Sequence, residues 1–162
     1  MTTPNPDDAP NFAVLLGPYI GQVPVASVPR LLARLERGAA DRYRGWAAAL
    51  PEHAEVLLEC AASEEQIAIR AEAIFPAIPH ELAAIEAVLP KARDTYFAAF
   101  EGLPVKRQLA LQAAAERQGA LAWHGLKQPE MPDEHLAELD ALHDLEIRSA
   151  ERVEALLAQL SD

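Results

Sequence analysis

The sequence predicts an all-α protein: a four-helix bundle of two antiparallel hairpins joined by a kinked helical crossover. Three observations carry this. Of 162 residues 33 are Ala and 22 are Leu, against 7 Gly and 4 Phe, a mix rich in strong helix formers and poor in the residues that strands prefer. Proline and glycine cut the chain into pieces of helical length. Within each long piece apolar residues recur every three or four positions, the period of an amphipathic helix. The length is that of one domain with one sizeable core.

The elements follow in order. Residues 1–11 carry three prolines together with Asp7 and Asp8, a composition that predicts a disordered start. From 12 to 28 the chain is apolar but interrupted by Gly17-Pro18, Gly21 and Pro24, which predicts an irregular arm. Residues 1–26 thus precede a single helical domain, 27–162. The arm closes that domain's own core or, alternatively, packs on a second subunit in a homodimer. Ser27 is placed to cap a helix with Pro29 in its first turn, running to about Ala49. Pro51 restarts a helix that ends before Phe75-Pro76. A third stretch opens after Pro79, is broken by Pro90, and continues to about Phe100; this is the crossover. Gly102 and Pro104 precede a helix reaching Trp123 or His124. Pro129 and Pro132 mark a loop, and Asp133 caps a last helix to about Leu160. Short Pro-marked connections predict antiparallel neighbours.

Charge excludes two classes of partner. The net charge of −11 opposes both nucleic acid and an anionic membrane surface. The stretch from Phe12 to Ile20 is too short to span a bilayer. One cysteine, Cys60, allows no disulfide framework, and no basic signal-peptide region precedes Arg30, so a cytoplasmic location is expected. Residues 27–50 hold five Arg, whereas residues 130–162 hold ten acids. Those faces are solvated or pair with one another.

Each long helix interrupts its apolar stripe with one glutamate. Leu32, Leu35, Ala39, Tyr43, Trp46 and Leu50 surround Glu36; Leu57, Cys60, Ile67, Ala71 and Ile74 surround Glu64. Leu109, Ala113, Ala120 and Trp123 surround Glu116; Leu139, Leu142, Ala150, Val153 and Leu157 surround Glu146. Isolated buried carboxylates cost several kcal/mol each or take up a proton, so four aimed at one core need cations. The two halves also echo each other. Glu36 and Glu64 are 28 residues apart, Glu116 and Glu146 30 apart; Glu36-Arg37 is followed by Tyr43, Glu116-Arg117 by Trp123.

On these residues, above all Glu36-Arg-Gly-Ala-Ala-Asp-Arg-Tyr43-Arg-Gly-Trp46 and Ala62-Ser-Glu64-Glu-Gln-Ile67-Ala68, the chain resembles the rubrerythrin branch of the ferritin-like superfamily over about residues 27–160. The resemblance implies a ferritin-like bundle in which two lone glutamates and two Glu-x-x-His pairs hold two iron or manganese ions. Glu36 and Glu116 match the lone glutamates, and Glu64 and Glu146 the first members of the pairs. The histidine positions are occupied by Ile67 and Ser149, and no rubredoxin-type cysteine segment occurs. Metal binding is therefore expected in preference to oxygen or peroxide chemistry, because the imidazoles that tune an iron pair are missing.

Two functions lead, with a small-molecule pocket that needs no metal as a third. In one, Glu36, Glu64, Glu116 and Glu146, with His143 one turn before Glu146, bind divalent metal; oxygen ligands favour Mn, Mg or Ca, while the resemblance implies Fe or Mn. In the other, the chain is a metal-free binding or oligomerisation module whose glutamates pair with Arg37, Arg117 and Arg148 or sit in a wet channel. Cys60, His124, Tyr43, Trp46 and Trp123 read as packing or surface residues. No phosphate loop, nucleophile elbow or zinc-protease motif is present.

Overall fold

In a computed structural model, which describes residues 8–160, the described chain is all-helical: six α-helices and no strands. They are α1 (Phe12–Ile20), α2 (Val28–Ala49), α3 (Ala54–Ile74), α4 (Leu82–Ala98), α5 (Val105–Gly125) and α6 (Asp133–Gln159), with single 3-10 turns at Val25–Ser27, Pro51–His53 and Pro79–Glu81. No described helix is long and apolar enough to cross a membrane. The expected disordered start falls largely on residues 1–7, outside the described part.

Proline explains most boundaries and two surprises. Pro51, Pro79, Pro104 and Pro132 each stand at or just before the start of a helical segment, where a missing N–H costs nothing. The first part of the expected irregular arm is instead the helix α1, with Pro18 inside it and Asn11 capping it through a bond from the Val14 N–H, whereas residues 21–27 do form turns and a single 3-10 turn. Likewise α4 runs unbroken through Pro90. In both, the proline and the residue four before it, Val14 or Glu86, face solvent, so water can satisfy the carbonyl that loses its partner. Two expected caps differ as well. Ser27 precedes α2 but its hydroxyl donates to Glu81 across the chain, and Asp133 lies in the first turn of α6 after Pro132.

The helices pair as the short connections require. α2 packs along α3, α5 along α6, and the pairs meet through α3 and α6; α4 lies against α1 and α2. Helix α2 therefore buries two faces. Its stripe contributes Ala39, Tyr43 and Trp46, and Leu31 packs with Val23, Ile85, Val88 and Leu89 around α4. Each such fully buried aliphatic contributes about 1.5–3 kcal/mol.

The main core is split along its length. One cluster contains Tyr43, Cys60, Leu109, Ala113 and Val153, and the other Ala33, Ile67, Trp123 and Leu142. Between these clusters, on each of the four long helices, lies one glutamate.

Candidate metal centre

Those four glutamates come from α2, α3, α5 and α6. Glu64, Glu116 and Glu146 are buried, and Glu36 is partly so. One carboxylate oxygen each of Glu36, Glu64 and Glu146 fall within 4.8 Å of one another, close enough for a single divalent ion to touch all three. Glu64 has no exposed surface, and neither of its oxygens accepts a hydrogen bond. An orphaned carboxylate in the protein interior is costly unless a cation or proton meets it.

Glu116 sits beside this trio and is held differently. Its Oε1 accepts from the Tyr43 hydroxyl and from Gln112 Nε2 at 2.7 Å, and Gln112 in turn accepts from the Tyr96 hydroxyl. On the opposite side, Trp123 Nε1 lies 3.1 Å from both Glu36 Oε1 and Glu146 Oε1. The echo between the two halves thus acquires a geometric meaning. Tyr43 and Trp123 each stand seven residues after a lone glutamate, and each donates to the lone glutamate of the other hairpin. Sequence reasoning takes both rings only as packing; the shared spacing is the signal that could have found their role.

Burial pushes the Glu36, Glu64 and Glu146 carboxyls above the ordinary carboxylate range, Glu64 and Glu146 well above it. For Glu64 and Glu146 the neighbouring carboxylates raise it further. In Glu36 the bonds it shares with Glu64, Glu146 and Trp123 work the other way. Glu36 is in bonding reach of Glu64, and Glu146 of both Glu36 and Glu116, so a proton on one carboxyl can bridge to the next.

The arginines named as alternative counter-charges are engaged elsewhere. Arg37 pairs with Glu65 and Glu72 of α3, at 3.4 and 3.0 Å, and Arg117 holds Glu154 through two 2.8 Å bonds. Arg148 reaches the Asp144 carbonyl at 3.4 Å. The basic face of α2 pairs with α3 and α4, through Arg37, Arg44 and Arg34, and not with the acidic α6. Because the Arg117 pair is half exposed, Arg117→Ala is expected to change stability by less than about 1 kcal/mol. Urea denaturation measures it, and a loss above about 3 kcal/mol would mean that this guanidinium compensates a buried charge after all.

The remaining candidates are placed as follows. His143 is partly exposed, its Nδ1 3.1 Å from Asp144 and its ring edge-on to His124; it does not join the carboxylate trio. Ile67 and Ser149, three residues after Glu64 and Glu146, are wholly buried. Cys60 is buried too, and burial pushes its thiol up to about 12, so it stays protonated and unreactive.

Sequence reasoning misses Gly119 and the space beside it. A Cβ at Gly119 would stand 2.7 Å from Glu146 Oε1, so only glycine lets that carboxylate lie against α5. Next to it is an apolar cavity of about 280 Å³ between α1, α2 and α5, with Glu36, Glu116 and Glu146 in its wall. Searches of protein-family models, of curated proteins and of solved structures find no match to this chain.

Proposed function

We propose that the chain is a ferritin-like four-helix bundle, α2/α3 and α5/α6 its hairpins and α4 its crossover, with a divalent-metal site in its core. Glu36, Glu64 and Glu146 are the ligands, and Glu116 is a fourth carboxylate beside them. The observation that carries this reading is the trio of carboxylates from three helices, oxygens within 4.8 Å, with both Glu64 oxygens lacking a donor. A bound ion supplies the positive charge these groups lack.

The donor set decides the kind of ion. Isoleucine and serine stand where imidazoles would be, so the site is all oxygen, which suits Mn, Mg or Ca and, by the resemblance, Fe(II). Binding, and not oxygen or peroxide activation, is the function this ligand set supports.

Elemental analysis tests the proposal. Metal-stripped protein incubated with Mn(II) or Fe(II) and desalted is expected to keep about one ion per chain or more. The double variant Glu64→Gln, Glu146→Gln is expected to keep none. Less than about a tenth of an ion per parent chain would overturn the site and favour a metal-free binding or oligomerisation module.

A further inference from the structure

The cavity beside the carboxylates has the two halves of a ligand site. Its walls are hydrocarbon, from Leu16 and Ile20 of α1, Leu32 and Leu35 of α2 and Leu126 of α5, while exposed Ala13 and Ala122 at its rim lead to solvent. One part of the wall is polar, with Glu36, Glu116 and Glu146 beside Gln112 and Gln118, and among the described residues no Lys or Arg lines it. Behind Glu36 and Glu146 lies Glu64, fully buried and without a donor on either oxygen. Gly119 keeps the way to Glu146 open, since any side chain there would meet its carboxylate.

The start of the described chain completes the wall. The Phe12 N–H donates to Gln118 Oε1 at 2.8 Å, and Gln118 Nε2 donates to the Pro10 carbonyl at 3.0 Å. These two bonds clip α1 onto α5, so the arm expected to be irregular becomes one side of the cavity.

We propose that this cavity binds an aliphatic primary ammonium, its chain along the apolar wall and its head against the Glu36 and Glu146 carboxylates. Charge selects the head. An anionic head would face three carboxylates with no cation, whereas an ammonium offers three donors and a positive charge to Glu36 and Glu146, which share the one neutral donor of Trp123 Nε1. Size selects the tail. An apolar cavity of about 150 Å³ takes one benzene, so 280 Å³ has room for a chain of about eight carbons. The inference stands apart from metal binding, because the ammonium supplies the same missing charge without a metal ion.

Calorimetry on metal-stripped protein in chelator tests it with butyl-, hexyl- and octylammonium, and with octanol and octanoate as probes of the head. One equivalent is expected to bind, with affinity rising about fourfold per added methylene. Octanol is expected to bind at least tenfold more weakly than octylammonium, and octanoate not at all. Ala115→Leu, which narrows the cavity, is expected to weaken octylammonium at least tenfold and butylammonium less. Octanol or octanoate binding as tightly as the amine would overturn the proposal, as would several equivalents per chain or an affinity indifferent to chain length. The head-group comparison uses the parent protein, so its outcome does not depend on the variant's folding. Absence of metal uptake by the parent bears only on the metal site.

Discussion

Replacing Glu64 by Gln is expected to make the metal-free protein more stable at neutral pH, by about 3 kcal/mol, while abolishing metal binding. The side chain has no donor and three carboxylates around it. Keeping a proton on this buried carboxyl costs the folded chain about 1.4 kcal/mol for each pH unit above its ordinary value, and Gln removes that cost. Gln keeps the shape and brings an N–H₂ that can donate to Glu36 and Glu146. For a chain of this size the gain corresponds to a rise in Tm of about 6–12 °C. A calorimetric scan of both proteins in chelator measures it. A Tm of the variant at or below that of the parent would show that the parent already satisfies this carboxylate.

The sign of the pH dependence follows from the same groups. Glu36, Glu64 and Glu146 are held above the ordinary carboxyl value of 4.5, so above that pH the folded chain holds more protons than the unfolded one. Stability from these groups is therefore complete below about pH 4.5 and is lost as pH rises through their folded values. The advantage of Glu64→Gln should vanish near pH 4.5 and grow toward pH 8. A metal ion takes the place of the protons, so its binding releases them and tightens as pH rises.

How much of the molecule is legible in the sequence depends on the range of each interaction. The stripes around Glu36, Glu64, Glu116 and Glu146 are legible because helical period is local, and all four sit in one layer of the core. The helicity of α1 and the continuity of α4 through Pro90 are not. Whether a proline breaks a helix depends on whether the freed carbonyl meets water, and the exposure of Val14 and Glu86 is set by tertiary packing. Leu31 escapes for a similar reason: the period picks out one stripe per helix, and α2 has partners on two sides. His143 shares a helix with Glu146, but spacing alone does not say which way a ring turns, and it turns to Asp144. The roles of Tyr43, Trp123 and Gly119 arise between hairpins, so their chemistry needs coordinates.

Gly119 carries the second large effect, a split between stability and binding. In the middle of α5 a glycine costs about 1 kcal/mol relative to alanine, so Gly119→Ala would ordinarily stabilise the helix. Here the new Cβ would stand 2.7 Å from Glu146 Oε1 and 3.0 Å from its Cδ, and the carboxylate must move. It is the free end of a side chain, so the shift costs less than displacing backbone would. What it sacrifices is position: the 3.1 Å bond from Trp123 Nε1 and the alignment of Glu146 with Glu36 and Glu64. Displacing a ligand's support typically costs about 10–100-fold in metal affinity. The variant is therefore expected to keep the parent's Tm in chelator within about 4 °C, the helical gain and the crowding offsetting each other, and to bind Mn(II) at least tenfold more weakly. Unchanged Mn(II) affinity would mean that Glu146 is not a ligand in its observed position. A collapse of Tm in chelator would mean that Gly119 serves packing first. Glycine is tolerated at a position where the helix alone prefers alanine because the carboxylate needs the space.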